Sequence, residues 1–496
     1  MAGLKSLAKD TAIYGVSSIV GRFLNYLLVP LYTSAFSASS GGYGVVTNVY
    51  SITALLLVFL TYGMETGFFR FANKNDENSQ TVYSTTLISV GSTSLLFILI
   101  CFILLEPISN FLGYGDHPEY IGMMVVVVAL DAFQSILYAY LRYKKRPIKF
   151  ACLKLLFIFS NILLNLFLIV WAPRIYENYP DLVSWFYNPD YGVGYVFVAN
   201  LICTLGITFF FIPELRIKLT FDKQLHKRIL KYSFPILILG IAGILNQTVD
   251  KIIFPFVMGK TPEASVQLGI YGAASKVAMI MAMFTQAFRY AYEPFVFGSN
   301  KEKDSRHIYA NAMKFFIIFA LFAYLAVMFY LDLLKYIIAE DYWVGLDVVP
   351  IVMMAELFMG IYFNLSFWYK LIDETKWGAY FSLVGCIIVI ALNIIFIPIY
   401  GYMACAWAGL AGYGVAMLLS YIIGQKKYPI QYDIKRIAGY GALAIVLYLL
   451  GMYIPIDNIF PRLMFRTVLL FVFIIYIIKK DFPLRHIPVI NRLIKK

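Results

Sequence analysis

Fourteen long apolar runs, separated by short polar breaks, limit what this chain can fold into more than any other sequence feature. A helix that crosses a bilayer needs about 20 apolar residues, and the runs are close to that length. They continue without the polar–apolar alternation of barrel strands, which disfavours a membrane β-barrel. The sequence therefore predicts an all-α, polytopic membrane protein with about 14 transmembrane helices. The predicted spans are 11–35, 43–71, 81–105, 118–142, 149–172, 191–213, 231–258, 267–297, 307–334, 345–370, 377–399, 401–424, 437–455 and 462–478.

Composition excludes several other classes of protein. Hydrophobic residues make up 61% of the 496 residues and charged residues 14%, against about 45–50% and 25% in soluble domains. A cytosolic enzyme, a secreted disulfide scaffold and a disordered chain are therefore excluded. The five cysteines lie in apolar runs without a CxxC pair, and no metal or nucleotide motif occurs, so we expect no metal and no cofactor. The net charge of +13 indicates basic cytoplasmic loops rather than nucleic-acid binding.

Lysine and arginine are distributed unequally between the two sides of the predicted spans. Of the 41 basic residues, 32 lie in the tails and even-numbered loops, counted with their helix ends. Cytoplasmic loops of membrane proteins carry such an excess. We therefore expect a multi-pass protein of the cell inner (plasma) membrane with both termini in the cytoplasm. The odd-numbered loops contain only Arg174, Lys260, Lys335 and Arg462.

The chain also contains a weak internal repeat. A shift of 228 positions aligns unusual residues across five spans, and the shift becomes 209 after the fifth span. We interpret this as two six-helix lobes, 1–215 and 231–425, with a basic cytoplasmic linker at 216–230 and two additional helices with a basic tail at 426–496. Six helices per lobe imply one shared topology and a pseudo-twofold axis along the membrane normal. The matched positions are Arg22 with Asp250, Tyr43-Gly44 with Tyr271-Gly272, Glu65 with Glu293, Arg142 with Lys370, Asn165 with Asn393, and Tyr191-Gly192 with Tyr400-Gly401.

Polar residues inside spans 1 and 7 are the leading candidates for a binding cavity. Arg22 and Asn25 share one helical face with Ser18, and a second face holds Gly243, Asn246, Gln247 and Asp250. The repeat places the two faces at equivalent positions in the two lobes. They either line a central cavity or hold helices together within each lobe. Lys251 points about 100° away from Asp250 on an ideal helix, so we expect it to lie in another environment.

Other charged residues inside the spans have alternative roles. Lys276 is a cavity candidate, whereas Arg289 and Glu293, four residues apart, are expected to form a structural ion pair. Arg142 and Lys370 end spans 4 and 10 at the inner face, either as snorkelling anchors or as a basic entrance for an anionic headgroup. No partner can be assigned from the sequence for Asp131, Lys154 and Glu356.

Several features of the chain occur together in one known family. They are the 14 spans, the six-plus-six repeat, the two extra helices, the basic start with Lys5 and Lys9, and the segments 43–46 (YGVV) and 271–274 (YGAA). In this combination the chain resembles the polysaccharide flippases. These are O-antigen or capsule repeat-unit translocases of the multidrug/oligosaccharidyl-lipid/polysaccharide superfamily. The resemblance implies a two-lobed, non-enzymatic transporter that moves an undecaprenyl-diphosphate-linked oligosaccharide to the outer leaflet. It also implies basic cavity residues on the sugar diphosphate, a role that Arg22, Lys276 and Arg142 fit here.

The residues expected to contact substrate are therefore Arg22, Asn25, Lys276, Arg142, Lys370 and Asn246, with Asp250 as the ion-coupling or gating residue. Membrane lipids, a polysaccharide polymerase and export machinery are the expected partners. Two alternatives within transport are a multidrug or cation antiporter and a peptidoglycan-precursor flippase. A membrane glycosyltransferase or polymerase is disfavoured, because such enzymes usually carry a sizeable soluble loop that this sequence lacks.

Overall fold

A computed structural model describes residues 20, 24, 26–74, 77–299, 305–372 and 374–481, with the backbone alone for 290–299 and 305. Within these ranges the regular structure is helical and contains no strand. Twelve helical segments are long and apolar enough to cross a membrane. The shorter apolar helix Gly194–Phe210 occupies the position of the sixth predicted span, and Leu28–Ala35 occupies the end of the first. The chain is thus an all-α, multi-pass membrane protein, as predicted.

The first of two compact units comprises the chain up to Ala273 together with Cys386–Cys405. Its inner core is an apolar cluster that includes Phe68, Tyr83, Ile136 and Phe211. Its helices are α1 (Leu28–Ala35), α2 (Gly42–Thr61), α3 (Met64–Ala72), α4 (Ser79–Ile103), α5 (Leu105–Leu112), α6 (Pro118–Tyr143), α7 (Pro147–Leu166), α8 (Ala172–Asn178), α9 (Pro180–Val183), α10 (Gly194–Phe210), α11 (Ile212–Leu215), α12 (Lys223–Val257) and the first turns of α13 (Pro262–Ser299).

The second unit comprises Ala274–Gly385 and Ala406–Lys496. Its central helix is α14 (Ser305–Phe329), which packs against α16 (Val349–Leu365) and against the two last helices, α20 (Ile434–Tyr453) and α21 (Ile459–Lys480). The unit contains the remainder of α13, then α14, α15 (Leu331–Leu334), α16 (Val349–Leu365), α17 (Phe367–Leu371), parts of α18 (Lys376–Tyr400) and α19 (Tyr402–Lys427), α20 (Ile434–Tyr453) and α21 (Ile459–Lys480).

The second predicted span is divided into α2 and α3 by a break at Tyr62 and Gly63. Both residues have positive φ, 31° and 71°, a left-handed conformation that ends a helix and that glycine adopts without steric cost. A Cβ on Gly63 would lie 2.8 Å from the backbone oxygen of Ser233 on α12. Glycine is therefore required here both by conformation and by the close approach of α12.

Helix α12, the seventh predicted span, packs against α2, α3 and α4 within the first unit. The two compact units are thus grouped differently from the repeat-based lobes 1–215 and 231–425. Those lobes are defined by symmetry of the sequence rather than by packing, and they stay a prediction.

Two of the repeat-matched pairs share a structural property. Gly192 and Gly401 both have positive φ, 49° and 55°, and Asn165 and Asn393 are both completely buried. A polar amide at 0% exposure inside an apolar span is uncommon because it needs hydrogen-bond partners. Asn165 finds them in Tyr32 and Asn161.

Candidate functional site

A cluster of polar side chains surrounds Asp250 near the end of α12. The Asp250 carboxylate lies 3.0 Å from the Lys251 ammonium and accepts a 2.7 Å hydrogen bond from the Tyr271 hydroxyl on α13. Lys251 also donates to the backbone oxygen of Gln247 at 3.1 Å. Asp250 is 7% exposed, so these contacts neutralise a buried charge. The expectation that Lys251 lies in another environment is wrong, because its long flexible stem bends back to the neighbouring carboxylate.

The carbonyl of Lys251 has a partner from another helix. Pro255 has no N–H, so the hydrogen bond that residue 255 would normally donate to the oxygen of Lys251 is missing. The Asn48 amide on α2 donates to that oxygen at 2.7 Å, and the Tyr114 hydroxyl donates to the Asn48 side-chain oxygen at 2.8 Å. Asn48 is 2% exposed. The buried Asn48 side chain therefore links α2 to the carbonyl that Pro255 leaves without its helical partner on α12.

Beside these hydrogen bonds, the N-terminal turns of α2 and α13 approach each other at their glycines. A Cβ on Gly44 would overlap the backbone oxygen of Ser265, and a Cβ on Gly269 would lie 3.0 Å from the Gly44 nitrogen. A Cβ on Gly272 would lie 2.5 Å from the Thr47 hydroxyl. Small residues permit such contact between membrane helices. The repeat-matched segments Tyr43-Gly44 and Tyr271-Gly272 therefore form a close contact between α2 and α13 within the first unit.

A second group of charges lies toward the other end of the first unit, the predicted inner side. Arg142 is ion-paired with Glu65, and its guanidinium lies 5.0 Å from the ring centre of Phe69. Lys149 contacts the buried carboxylate of Glu214 at 2.7 Å. Arg142 is therefore neutralised here rather than available as an unpaired cation at the inner face.

Asn246 of the first unit and Lys370 of the second have contacts within their own stretch of chain. Asn246 donates to the backbone oxygen of Ala242 at 2.9 Å, four residues earlier on α12. Lys370 lies 5.1 Å from the ring of Phe367, and Lys276 is half-buried on α13. Arg22 and Asn25 lie outside the described residues, as does the side chain of Glu293, so the structure does not test their assigned roles.

Arg289 adjoins a cavity of about 10 Å³ in the second unit. Its guanidinium lies 4.9 Å from the ring of Phe363. The Thr285 hydroxyl and the side-chain oxygen of Asn364, which both line this cavity, are buried and have no hydrogen-bond partner among the described residues. A cavity of this volume can hold about one water molecule.

Two ion-pair groups fix the last two helices to α14 and the turn after it. Asp332, just beyond α14, contacts Arg462 at 3.0 Å and Arg466 at 2.8 Å. At the opposite end, Asp481 contacts Lys314 at 2.7 Å and Arg436 at 2.8 Å.

The titration of Asp481 reflects these contacts. Burial alone would raise the pKa of this carboxyl. Hydrogen bonds from Lys314, Tyr440 and Arg436 outweigh burial and hold the pKa below its usual value.

Sequence reasoning missed the roles of Asn48 and Tyr114, and it assigned no partner to Lys251. One signal was available, since Pro255 inside a span predicts a carbonyl without its helical partner four residues earlier. The sequence does not show which distant side chain supplies the donor. In the described part of the chain, no group of three or more His, Cys, Asp or Glu side chains is arranged to hold a metal ion.

Comparison with known families gives two matches. The profile of the family described as "Polysaccharide biosynthesis protein" matches residues 7–291, more than half of the chain, and the MatE profile matches residues 240–395. No curated protein sequence matches the chain significantly.

Solved structures resemble the fold over most of its length. "Lipid II flippase MurJ, inward closed conformation" has a TM-score of 0.73 at 16% identity, covering 95% of this chain and 99% of that one. An inward-facing multidrug resistance MATE family transporter of the MOP superfamily has a TM-score of 0.60 at 13% identity, covering 86% and 95%. The MATE multidrug transporter DinF-BH has a TM-score of 0.58 at 15% identity, covering 85% and 96%. At these identities the likeness shows the fold alone.

Proposed function

Because the chain belongs to the polysaccharide biosynthesis protein family, we propose that it translocates a polyprenyl-diphosphate-linked oligosaccharide across the cytoplasmic membrane by alternating access. The oligosaccharide is the repeat unit of an O-antigen, capsule or exopolysaccharide. The observation that carries the proposal is the family match over residues 7–291 of a multi-pass chain whose fold is similar to flippases and transporters. Transport rather than catalysis is the proposed activity.

The proposed substrate contacts combine positive charges with amides. Arg22, Lys276, Arg142 and Lys370 are assigned to the diphosphate, because ionised hydrogen bonds to phosphate are strong; Asn25 and Asn246 are assigned to substrate hydroxyl or phosphate oxygens. Glu65 already occupies Arg142. Binding at Arg142 therefore requires the substrate to displace the Glu65 carboxylate.

Asp250 is the proposed coupling or gating residue. Its carboxylate is held by Lys251 and Tyr271 beside the interruption of α12. A proton or another cation at this carboxylate would weaken its contact with the Lys251 ammonium and release the end of α12. Coupling through Asp250 predicts that Asp250→Asn retains substrate binding but loses the dependence of transport on an ion gradient.

We place the protein in the cytoplasmic membrane with both termini in the cytoplasm, in contact with membrane lipids, a polysaccharide polymerase and export machinery. The distribution of basic residues supports this orientation. In a background without native cysteines, Asn178→Cys should react with an impermeant maleimide added to intact cells. Asn73→Cys should react only after the cells are permeabilised, and the reverse pattern would contradict the orientation.

The decisive experiment is lipid analysis of a strain in which the gene is deleted. We expect one polyprenyl-diphosphate-linked glycan to accumulate on the inner leaflet and to disappear on complementation with the wild-type chain. Unchanged levels of all polyprenyl-linked glycans would overturn the proposal.

Two other activities are favoured by specific observations. The MatE match over residues 240–395 favours a multidrug or cation antiporter, and the MurJ-like fold favours a peptidoglycan-precursor flippase. The same deletion strain separates them. An antiporter predicts altered drug sensitivity with normal lipid-linked glycans, whereas the precursor flippase predicts accumulation of the lipid-linked peptidoglycan precursor.

A further inference from the structure

The segment 142–154 carries six basic residues, and three of them have a carboxylate partner. Arg142 pairs with Glu65, while Arg146 and Lys149 pair with Glu214 at 3.6 and 2.7 Å. Lys144 and Lys145 are exposed at the turn between α6 and α7. The sixth, Lys154, lies seven residues after the start of α7, inside a predicted membrane span.

Lys154 is an exposed basic side chain at a defined position in the first unit. Its ammonium lies 4.0 Å from the ring centre of Tyr138 on α6, and Tyr138 is only 6% exposed. A cation over an aromatic ring is held by the ring quadrupole. The aromatic contact therefore keeps the head of Lys154 between α6 and α7, although the side chain itself is exposed.

The described carboxylates nearest Lys154 act on it without a direct ion pair. The carboxylates of Asp131 and Glu65 act on it electrostatically, but within the described ranges no carboxylate forms an ion pair with its ammonium. Arg142, the sequence-assigned cation of this region, is already paired. An unpaired ammonium inside a span is unfavourable unless an anion or water solvates it.

We propose that Lys154 binds a phosphoryl group of the polyprenyl-diphosphate substrate as that lipid enters the first unit. The proposal rests on the proposed function. At 1.5 Å per residue, Lys154 lies about 10 Å along α7 from the start of that helix. The start of α7 is at the predicted inner surface of the membrane. A lipid diphosphate that moves about 10 Å into the membrane from this surface would reach Lys154. A lysine ammonium is a compact point charge, which suits a phosphoryl oxygen. The contact with the Tyr138 ring holds the Lys154 ammonium in position before the lipid binds. A phospholipid phosphate is the other source of the same chemistry.

Binding to the purified full-length chain tests the proposal. The probes are undecaprenyl diphosphate and, separately, phosphatidylglycerol, each titrated against protein in detergent. We expect Lys154→Gln to weaken undecaprenyl diphosphate binding about tenfold or more, as expected for loss of a charged hydrogen bond. Lys154→Arg should keep most of the affinity because it keeps the charge. Lys144→Gln is the matched control, since Lys144 also lies near a tyrosine ring, 5.5 Å from that of Tyr140, and its loss should leave binding unchanged.

A second measurement uses the wild-type protein and does not depend on a variant folding. Amine acylation followed by peptide mass spectrometry reports the reaction rate of each lysine. Undecaprenyl diphosphate should slow acylation of Lys154 several-fold and leave that of Lys144 unchanged. Equal rates at Lys154 with and without the lipid would overturn the proposal.

The outcomes separate this proposal from the proposed function. If the wild-type chain binds no undecaprenyl diphosphate, the flippase proposal itself fails. If it binds and Lys154→Gln binds equally well, Lys154 is only an anchor at the inner surface and this proposal alone fails. If phosphatidylglycerol protects Lys154 as well as undecaprenyl diphosphate does, the site is a general phospholipid contact, which also overturns the assignment to substrate.

Discussion

The hydrogen bond between Asn48 and the carbonyl of Lys251 offers a direct test of how α12 is held. Asn48→Ala removes the only described side-chain donor to this oxygen and leaves the Tyr114 hydroxyl without its acceptor. Pro255→Ala supplies the missing backbone N–H, which can then bond to the same oxygen within α12. The cost of Asn48→Ala should therefore depend on the residue at position 255.

The magnitude depends on burial: Asn48 is 2% exposed, and its hydrogen bonds with Lys251 and Tyr114 are partly buried. An unpaired buried polar group costs about 1–3 kcal/mol in soluble proteins, whereas side-chain hydrogen bonds between membrane helices average about 0.6 and reach about 1.7 kcal/mol. The lower range applies here because the unfolded chain in detergent also finds partners. Asn48→Ala removes two such bonds, so we expect it to reduce the free energy of unfolding by about 1–2 kcal/mol. In the Pro255→Ala background the reduction should fall by about half, because only the Tyr114 contact is then lost.

Equilibrium unfolding in mixed micelles, applied to the wild type, both single variants and the double variant, measures this coupling. Asn73→Ala is the matched control, because Asn73 is exposed just after α3 and donates at 2.7 Å to the oxygen of Phe69 in the last turn of that helix. We expect that control to change stability by less than about 0.5 kcal/mol. Equal costs of Asn48→Ala with and without Pro255 would refute the reasoning, since the Lys251 oxygen would then not be the group that Asn48 satisfies.

Two further predictions concern the helix contact and the last helices. Gly44→Ala should lower the melting temperature because its methyl group overlaps a carbonyl oxygen of α13, at a cost of about 1–3 kcal/mol. Gly42→Ala is the control, because its methyl group would meet only ordinary contacts at 3.4–3.5 Å, and it should leave the melting temperature unchanged. Asp481→Asn should cost about 2–4 kcal/mol because Lys314 is left buried without a carboxylate, while the exposed Asp433→Asn should be nearly neutral in the same thermal unfolding assay. The pKa of Asp481 is lowered in the folded protein, so its contribution to stability is present above its ordinary pKa of 3.8 and is lost as the pH falls through the folded pKa. The wild-type melting temperature should therefore decline more steeply below pH 3.8 than that of Asp481→Asn. Equal declines would contradict this.

The sequence by itself determined the all-α membrane fold and most of the span positions. The physical reason is that hydrocarbon contains no hydrogen-bond partners for backbone N–H and C=O groups. A continuous apolar run of about 20 residues can satisfy these groups within itself only as a helix. Continuous runs such as 81–105 and 118–142 therefore correspond closely to α4 and α6. The repeat likewise indicated which Tyr-Gly segments matter, because glycine beside an aromatic residue at matched positions is visible without any knowledge of packing.

The pairing of the polar side chains was decided only by the tertiary structure. Helical periodicity placed Lys251 away from Asp250, yet its flexible stem lets the ammonium reach that carboxylate. Arg142 was identified as a cation, but the sequence could not show that Glu65, 77 positions earlier, neutralises it. Which charges are paired and which remain available depends on distances between helices that are remote in sequence. Such distances are set by side-chain packing of the whole unit, and local apolar patterning does not contain them.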